Sequence, residues 1–139
     1  MTNGIGYTVI GINIKDGELY CAVASSINDV RFYHIKDFNM GNENELKKIL
    51  IDNDVAVAVI SNCYSRYKNA FKMMSKNYST YVGIEFLCKK LNIDYIVNVV
   101  RKYTDEDISY FPFLEGRSKY EIEAFMLIND FLLFYEELE

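Results

Sequence analysis

The chain has little of what metal-bound or disulfide-bonded domains depend on. Of its 139 residues only three are cysteine (Cys21, Cys63, Cys88), with no Cys-x-x-Cys spacing, and one is histidine, His34. A zinc finger, a thioredoxin-type redox centre and a Ser-His or Cys-His nucleophile are therefore excluded, unless His34 serves one of them. Tryptophan is absent and Pro112 is the only proline. With no Pro/Gly/Ser linker, low-complexity tract or internal repeat, no domain boundary can be drawn, and residues 1–139 read as one domain. Long hydrophobic runs are also missing. The apolar stretch Tyr7–Ile12 is far short of the ~18 residues of a membrane span, and Met1–Gly4 lacks the basic start of a secretory signal. There is no Gly-rich phosphate loop, because Gly4-Ile5-Gly6 lacks a third glycine and precedes a strand instead of following one. Half the residues are hydrophobic and 25% are charged, the balance of a folded chain. The expectation is a soluble, cytoplasmic domain in a reducing compartment, with no membrane partner.

Basic charge is scarce overall: the net charge is −5, which argues against a protein that coats nucleic acid indiscriminately. The distribution is uneven. Residues 1–60 hold five Lys/Arg against eight Asp/Glu, residues 61–104 hold eight against two, and residues 105–139 hold two against ten. A basic middle between acidic ends leaves room for one anion-facing surface.

The β-branched stretch Tyr7–Ile14 reads as a strand, and Asp16-Gly17 as a tight hairpin turn, since both residues tolerate positive φ. Leu19–Ala24 and Val30–His34 complete a three-stranded meander. Asn42 followed by Glu45 has the capping-box spacing and opens a short helix with Leu46, Ile49 and Leu50 on one face. Val55–Ile60 is continuously apolar, as a strand covered on both faces should be. Residues 66–91 read as one long helix or two separated near Asn77–Thr80, and Asp94–Val99 as a fifth strand. Tyr103–Arg117 looks irregular, and Ser118 with Glu121 caps a helix running to the end. The order β-β-β-α-β-α-β-α predicts an α/β fold: a mixed five-stranded sheet with helices on both faces, the first strand central and the later strands parallel to it. That is the ribonuclease-H-like layout.

Gly11-Ile12-Asn13-Ile14, with Ala22-Val23-Ala24-Ser25 on the second strand, resembles the opening hairpin of RuvC-type and YqgF-type proteins, which include the Holliday junction resolvases. The similarity continues through Val55–Ile60, Lys68-Asn69-Ala70, Tyr95–Arg101 and the Glu123-Ala124 helix. The resemblance implies carboxylates on the first strand, the fourth strand and the last helix, holding two Mg²⁺ ions. Here the first-strand position is Asn13 and the fourth-strand position falls on Ser61 or Asn62, all neutral. Glu123 alone remains acidic as a metal ligand. Asp16 is a displaced substitute, three residues beyond Asn13, an odd offset that aims it at the opposite face of a strand. Asn13, Glu123 and Asp16 are thus the candidate catalytic set, with Mg²⁺ held weakly and little or no nuclease activity expected. The plainer reading makes Asn13 a hydrogen-bonded core amide and Glu123 a solvated acid in the first helical turn.

Arg66, Lys68, Lys72 and Lys76 recur at helical spacing among Tyr64, Tyr67, Phe71, Tyr78 and Tyr81. Cations for phosphates beside aromatics for bases describe a nucleic-acid surface. Three readings follow: a RuvC-like protein that recognises branched or structured DNA or RNA through an altered nuclease centre; a protein-binding module on the same scaffold, such as an acidic inhibitor, immunity factor or structural subunit; and an active Mg²⁺-dependent endonuclease with displaced ligands such as Asp16 or Asp105–Asp107. A homodimer is expected. The resemblance implies it, and the runs Phe125–Ile128 and Phe131–Phe134 put apolar residues around most of the last helix.

Overall fold

The structure, a computed structural model, describes residues 4–26, 28–39, 41–61, 71–100 and 102–138. Strands β1 (Gly4–Lys15), β2 (Glu18–Ser26) and β3 (Asp29–Ile35) form the antiparallel meander. Asp16 and Gly17, at φ 52° and 83°, make the two-residue turn whose twist matches its flanking strands. Strands β4 (Val55–Ser61) and β5 (Asp94–Asn98) add to the other side of β1 in parallel, giving the order β3-β2-β1-β4-β5. The first strand is central, as expected.

Period-2 alternation on β1 divides the core. Ile10, Ile12 and Ile14 face helix α1 (Asn44–Asp52) and helix α2 (Phe71–Lys90), packing with Leu46, Leu50, Ile84 and Leu87. Val9 joins a second cluster with Ala22, Ala24 and Val59 beneath helix α4 (Lys119–Leu138). Cys21 and Cys88 lie free and buried in the first cluster, where burial pushes both thiols up to about 12. At that value neither is a thiolate near neutral pH.

Three expectations require correction. Helix α1 is not opened by Asn42: Glu43 occupies the cap position with no side-chain bond, while the Asn42 amide donates to the Asp37 carbonyl 2.8 Å away. Of the two alternatives for residues 66–91, the single helix is the one found within the described residues, with α2 unbroken through Asn77–Thr80. The stretch read as irregular contains helix α3 (Asp105–Ser109), capped by Thr104 and Asp107 in a reciprocal box, and a 3-10 turn at Pro112–Leu114. That stretch also covers much of the apolar outer side of α4. Phe111 and Phe113 pack edge-on against Phe125 at 4.8 and 4.9 Å between ring centres, and Phe125–Ile128 are all buried. The apolar excess on α4 is thus satisfied within the chain up to Phe131, with Leu133 and Phe134 exposed at 51% and 59%. Among the described residues no helix is long and apolar enough to cross a membrane.

Candidate functional site

Helix α4 crosses β1 at Gly11. A Cβ there would overlap the Ala124 carbonyl oxygen, so only glycine lets the helix backbone come this close. The capping box at Ser118 and Glu121 fixes where α4 begins: the Ser118 N–H donates to Glu121 Oε1 at 3.0 Å, and the Glu121 N–H to Ser118 Oγ at 3.3 Å. Start and crossing point together place Glu123 over Asn13. The Asn13 amide Nδ2 donates to the Tyr120 carbonyl at 3.2 Å and to Glu123 Oε2 at 3.4 Å. On the neighbouring strand Ser61 Oγ accepts the Ile14 N–H at 2.9 Å, extending the β1–β4 ladder past its last paired residues, Ile12 and Ile60. Asn13 and Ser61 are 5% and 4% exposed. The approach of Asn13 to Glu123 at one end of the sheet follows the ribonuclease-H-like layout.

Glu123 is half-buried and its carboxyl is raised above the ordinary range. Burial is the main cause, opposed by Lys119, the Asn13 hydrogen bond and Lys15. It is not the solvated acid of the plainer reading. Glu121, two residues away, is lowered: its partial burial is outweighed by the Ser118 bonds and by Arg117, whose Nη1 lies 3.1 Å from Oε2. Tyr103 is raised by burial and by the Glu123 charge.

A row of rings continues from Asn13 across the sheet. Tyr20 pairs with Asn13 across β1–β2, and His34 pairs with Tyr20 across β2–β3. The Tyr20 and His34 rings stack at 4.3 Å and 13°, and Tyr20 meets Tyr120 at 5.1 Å. Lys15 Nζ lies 5.6 Å from the Tyr120 ring centre, and His34 Nε2 is 3.0 Å from Glu18 Oε1. The candidate set above contains none of Tyr20, Tyr120, Lys15 and Lys119. Tyr20 was within reach of sequence reasoning: a two-residue Asp16-Gly17 turn pairs Lys15 with Glu18, Ile14 with Leu19, and hence Asn13 with Tyr20.

Of the other candidates, Asp16 stays in its turn and lines a cleft with Lys36, Asp37, Ser79 and Thr80. Asp107 is committed to capping α3. Arg66, Lys68 and Asn62 lie outside the described residues, as do the side chains of Lys72 and Lys76. The groups gathered at β1, β4 and α4 do not fit a pair of divalent cations, which needs several anionic oxygens. One carboxylate is present, the Asn13 amide turns N–H toward it, and the Ser61 oxygen accepts a backbone N–H. The Tyr120 carbonyl can only accept, so it fixes the Asn13 amide with nitrogen inward. Among the described residues no three His, Cys, Asp or Glu side chains cluster as ligands.

The chain matches no protein-family model and no curated protein. Solved structures do match it. Thermus thermophilus RuvC superposes with a TM-score of 0.61 at 11% identity, over 84% of this chain and 88% of that one. T. thermophilus RuvC in complex with a Holliday junction substrate gives 0.65 at 11% identity, over 85% and 87%. Fowlpox virus resolvase in complex with Holliday junction DNA gives 0.50 at 12% identity, over 90% and 96%. The strand order, the crossing helix and these likenesses agree: the chain has the ribonuclease-H-like fold of the RuvC-type resolvases.

Proposed function

We propose that this protein recognises branched DNA on a RuvC-like scaffold whose metal-dependent cutting centre has been replaced by a hydrogen-bonded one. The observation that carries the reading is the Asn13–Glu123 contact. The side chains from β1 and α4 meet where the resemblance leads one to expect metal ligands, yet one donates N–H to the other. A divalent cation and that N–H cannot occupy the same side of the Glu123 carboxylate. Binding therefore proceeds without Mg²⁺, with positive charge supplied by side chains such as Lys15 and Lys119, which both act on Glu123. The basic segment of residues 61–104 adds to that charge. A four-way junction is two-fold symmetric, so the reading includes a dimer, and Leu133 is an exposed apolar side chain on α4 that such an interface would cover.

The test is a titration of a labelled four-way junction in EDTA and in Mg²⁺, at two salt concentrations, with cleavage assayed in parallel. Binding preferred over linear duplex, equal in both buffers and unaccompanied by cutting, is the expected outcome. Mg²⁺-dependent cleavage abolished by Glu123→Ala would overturn it in favour of displaced ligands. Absence of junction binding at low salt would favour the protein-partner reading.

A further inference from the structure

The ring row beside Asn13 has two chemically different ends. At its inner end the Lys15 ammonium lies over Tyr120, and Lys119 stands exposed in the first turn of α4. At its outer end is His34, on β3, an edge strand. One face of the imidazole is covered by Tyr20, and among the described residues no strand pairs beyond β3 on the other side. The ring plane is held from two directions, by the near-parallel stack on Tyr20 and by the 3.0 Å contact between Nε2 and Glu18. A planar group placed on the open face meets a surface already oriented, so little ordering cost remains.

We propose that the outer face of His34 is a stacking site for one unpaired nucleobase, on a strand whose backbone continues over the ring row toward Lys15 and Lys119. This rests on the nucleic-acid reading above and assigns it a subsite. Rings accept any base by its π-face, while the ammonium groups take the backbone, so the site selects for unpaired nucleotides over sequence. Base-paired DNA cannot use it, since its bases are stacked on one another. The site therefore favours a branch point that carries an unpaired nucleotide over the paired arms. It is separate from the Asn13–Glu123 contact: His34 is two strands away from Asn13, with Tyr20 between them.

The experiment uses a four-way junction with one unpaired 2-aminopurine at the branch point, and the same junction fully paired. Arm-label anisotropy reads binding, and 2-aminopurine emission reads stacking. Wild type is expected to bind both and to quench the 2-aminopurine. His34→Ala should bind the paired junction as wild type does, lose about tenfold in affinity for the unpaired one and leave the emission unquenched. His34→Phe, which keeps a stacking face but not the bond to Glu18, should restore both. Quenching by His34→Ala equal to wild type overturns the subsite while leaving junction binding intact, and so does failure of His34→Phe to restore it. If wild type binds neither junction, the nucleic-acid reading itself falls and takes the subsite with it.

Discussion

The two faces of the central sheet are built on opposite rules. The face under α1 and α2 is dry: Ile10, Ile12 and Ile14 from β1 meet Leu46, Leu50, Ile84 and Leu87, and even Cys21 and Cys88 serve there as small apolar groups. The face under α4 is apolar only along part of its length. Past Gly11 it becomes a polar and aromatic row: His34, Tyr20, Asn13 and Ser61, with Tyr120 and Glu123 of α4 lying against it. One strand serves both because alternate residues point to opposite sides. The first face is thus core throughout, while the second joins a core to the polar row in which the proposed recognition chemistry lies, and substitutions one residue apart on β1 should have effects of different kind.

Four substitutions sharpen that contrast. Ile12→Ala opens a cavity at a fully buried site and should cost about 2–5 kcal/mol by chemical denaturation. Junction affinity of the folded fraction should stay near wild type. Gly11→Ala forces the Ala124 carbonyl away and should cost about 3 kcal/mol. Because it lifts α4 off Asn13, it should weaken junction binding as well. Retained affinity in Gly11→Ala would separate the α4 crossing from recognition.

Asn13→Asp removes the donor to Tyr120 and sets a second carboxylate against Glu123, for an expected loss of about 2 kcal/mol at pH 8. Two facing carboxyls share a proton in acid, so the loss should shrink as pH falls. Millimolar Mg²⁺ should raise the melting temperature of this variant and leave wild type unmoved. An equal Mg²⁺ response from both proteins would contradict the hydrogen-bonded reading of the site.

The smallest effect has the opposite sign. Glu123 is raised in the fold, so its contribution is most favourable while it is protonated and is lost as pH rises through the interval above its unfolded value. Glu123→Gln, which can still accept from Asn13, should be more stable than wild type by about 0.5 kcal/mol at pH 7, a value kept small by solvent screening at a half-exposed group. The difference should vanish in acid. Glu121 behaves the other way: lowered in the fold, it supports the start of α4 above its unfolded value and loses that support as pH falls through its folded one. A pH series on Glu123→Gln that parallels wild type throughout would show that the Glu123 burial is not felt.

Local patterns made much of the fold legible. The Asp16-Gly17 turn, the alternation on β1 and the Ser118/Glu121 box are short-range signals, and each formed as its chemistry requires. Thr104 and Asp107 carry the same signal, and helix α3 could have been found from it. Asn42 shows the reverse case: the spacing was right, but its amide found the Asp37 carbonyl instead. A capping pattern is only one of several bonds a short polar side chain can make.

The sequence by itself determined the five strands and helices α1, α2 and α4, their order, that β1 is central, and that neutral residues stand at two of the three positions where carboxylates were expected. Tertiary structure decided what those residues do. The nitrogen-inward setting of Asn13 depends on a carbonyl 107 positions away, and the raised carboxyl of Glu123 on its burial in the fold. The covering of Phe125 depends on Phe111 and Phe113, from the stretch between α3 and α4. Hydrogen-bond partners, desolvation and ring packing are properties of groups brought together from distant parts of the chain. They exist only once α4 has crossed β1 at Gly11.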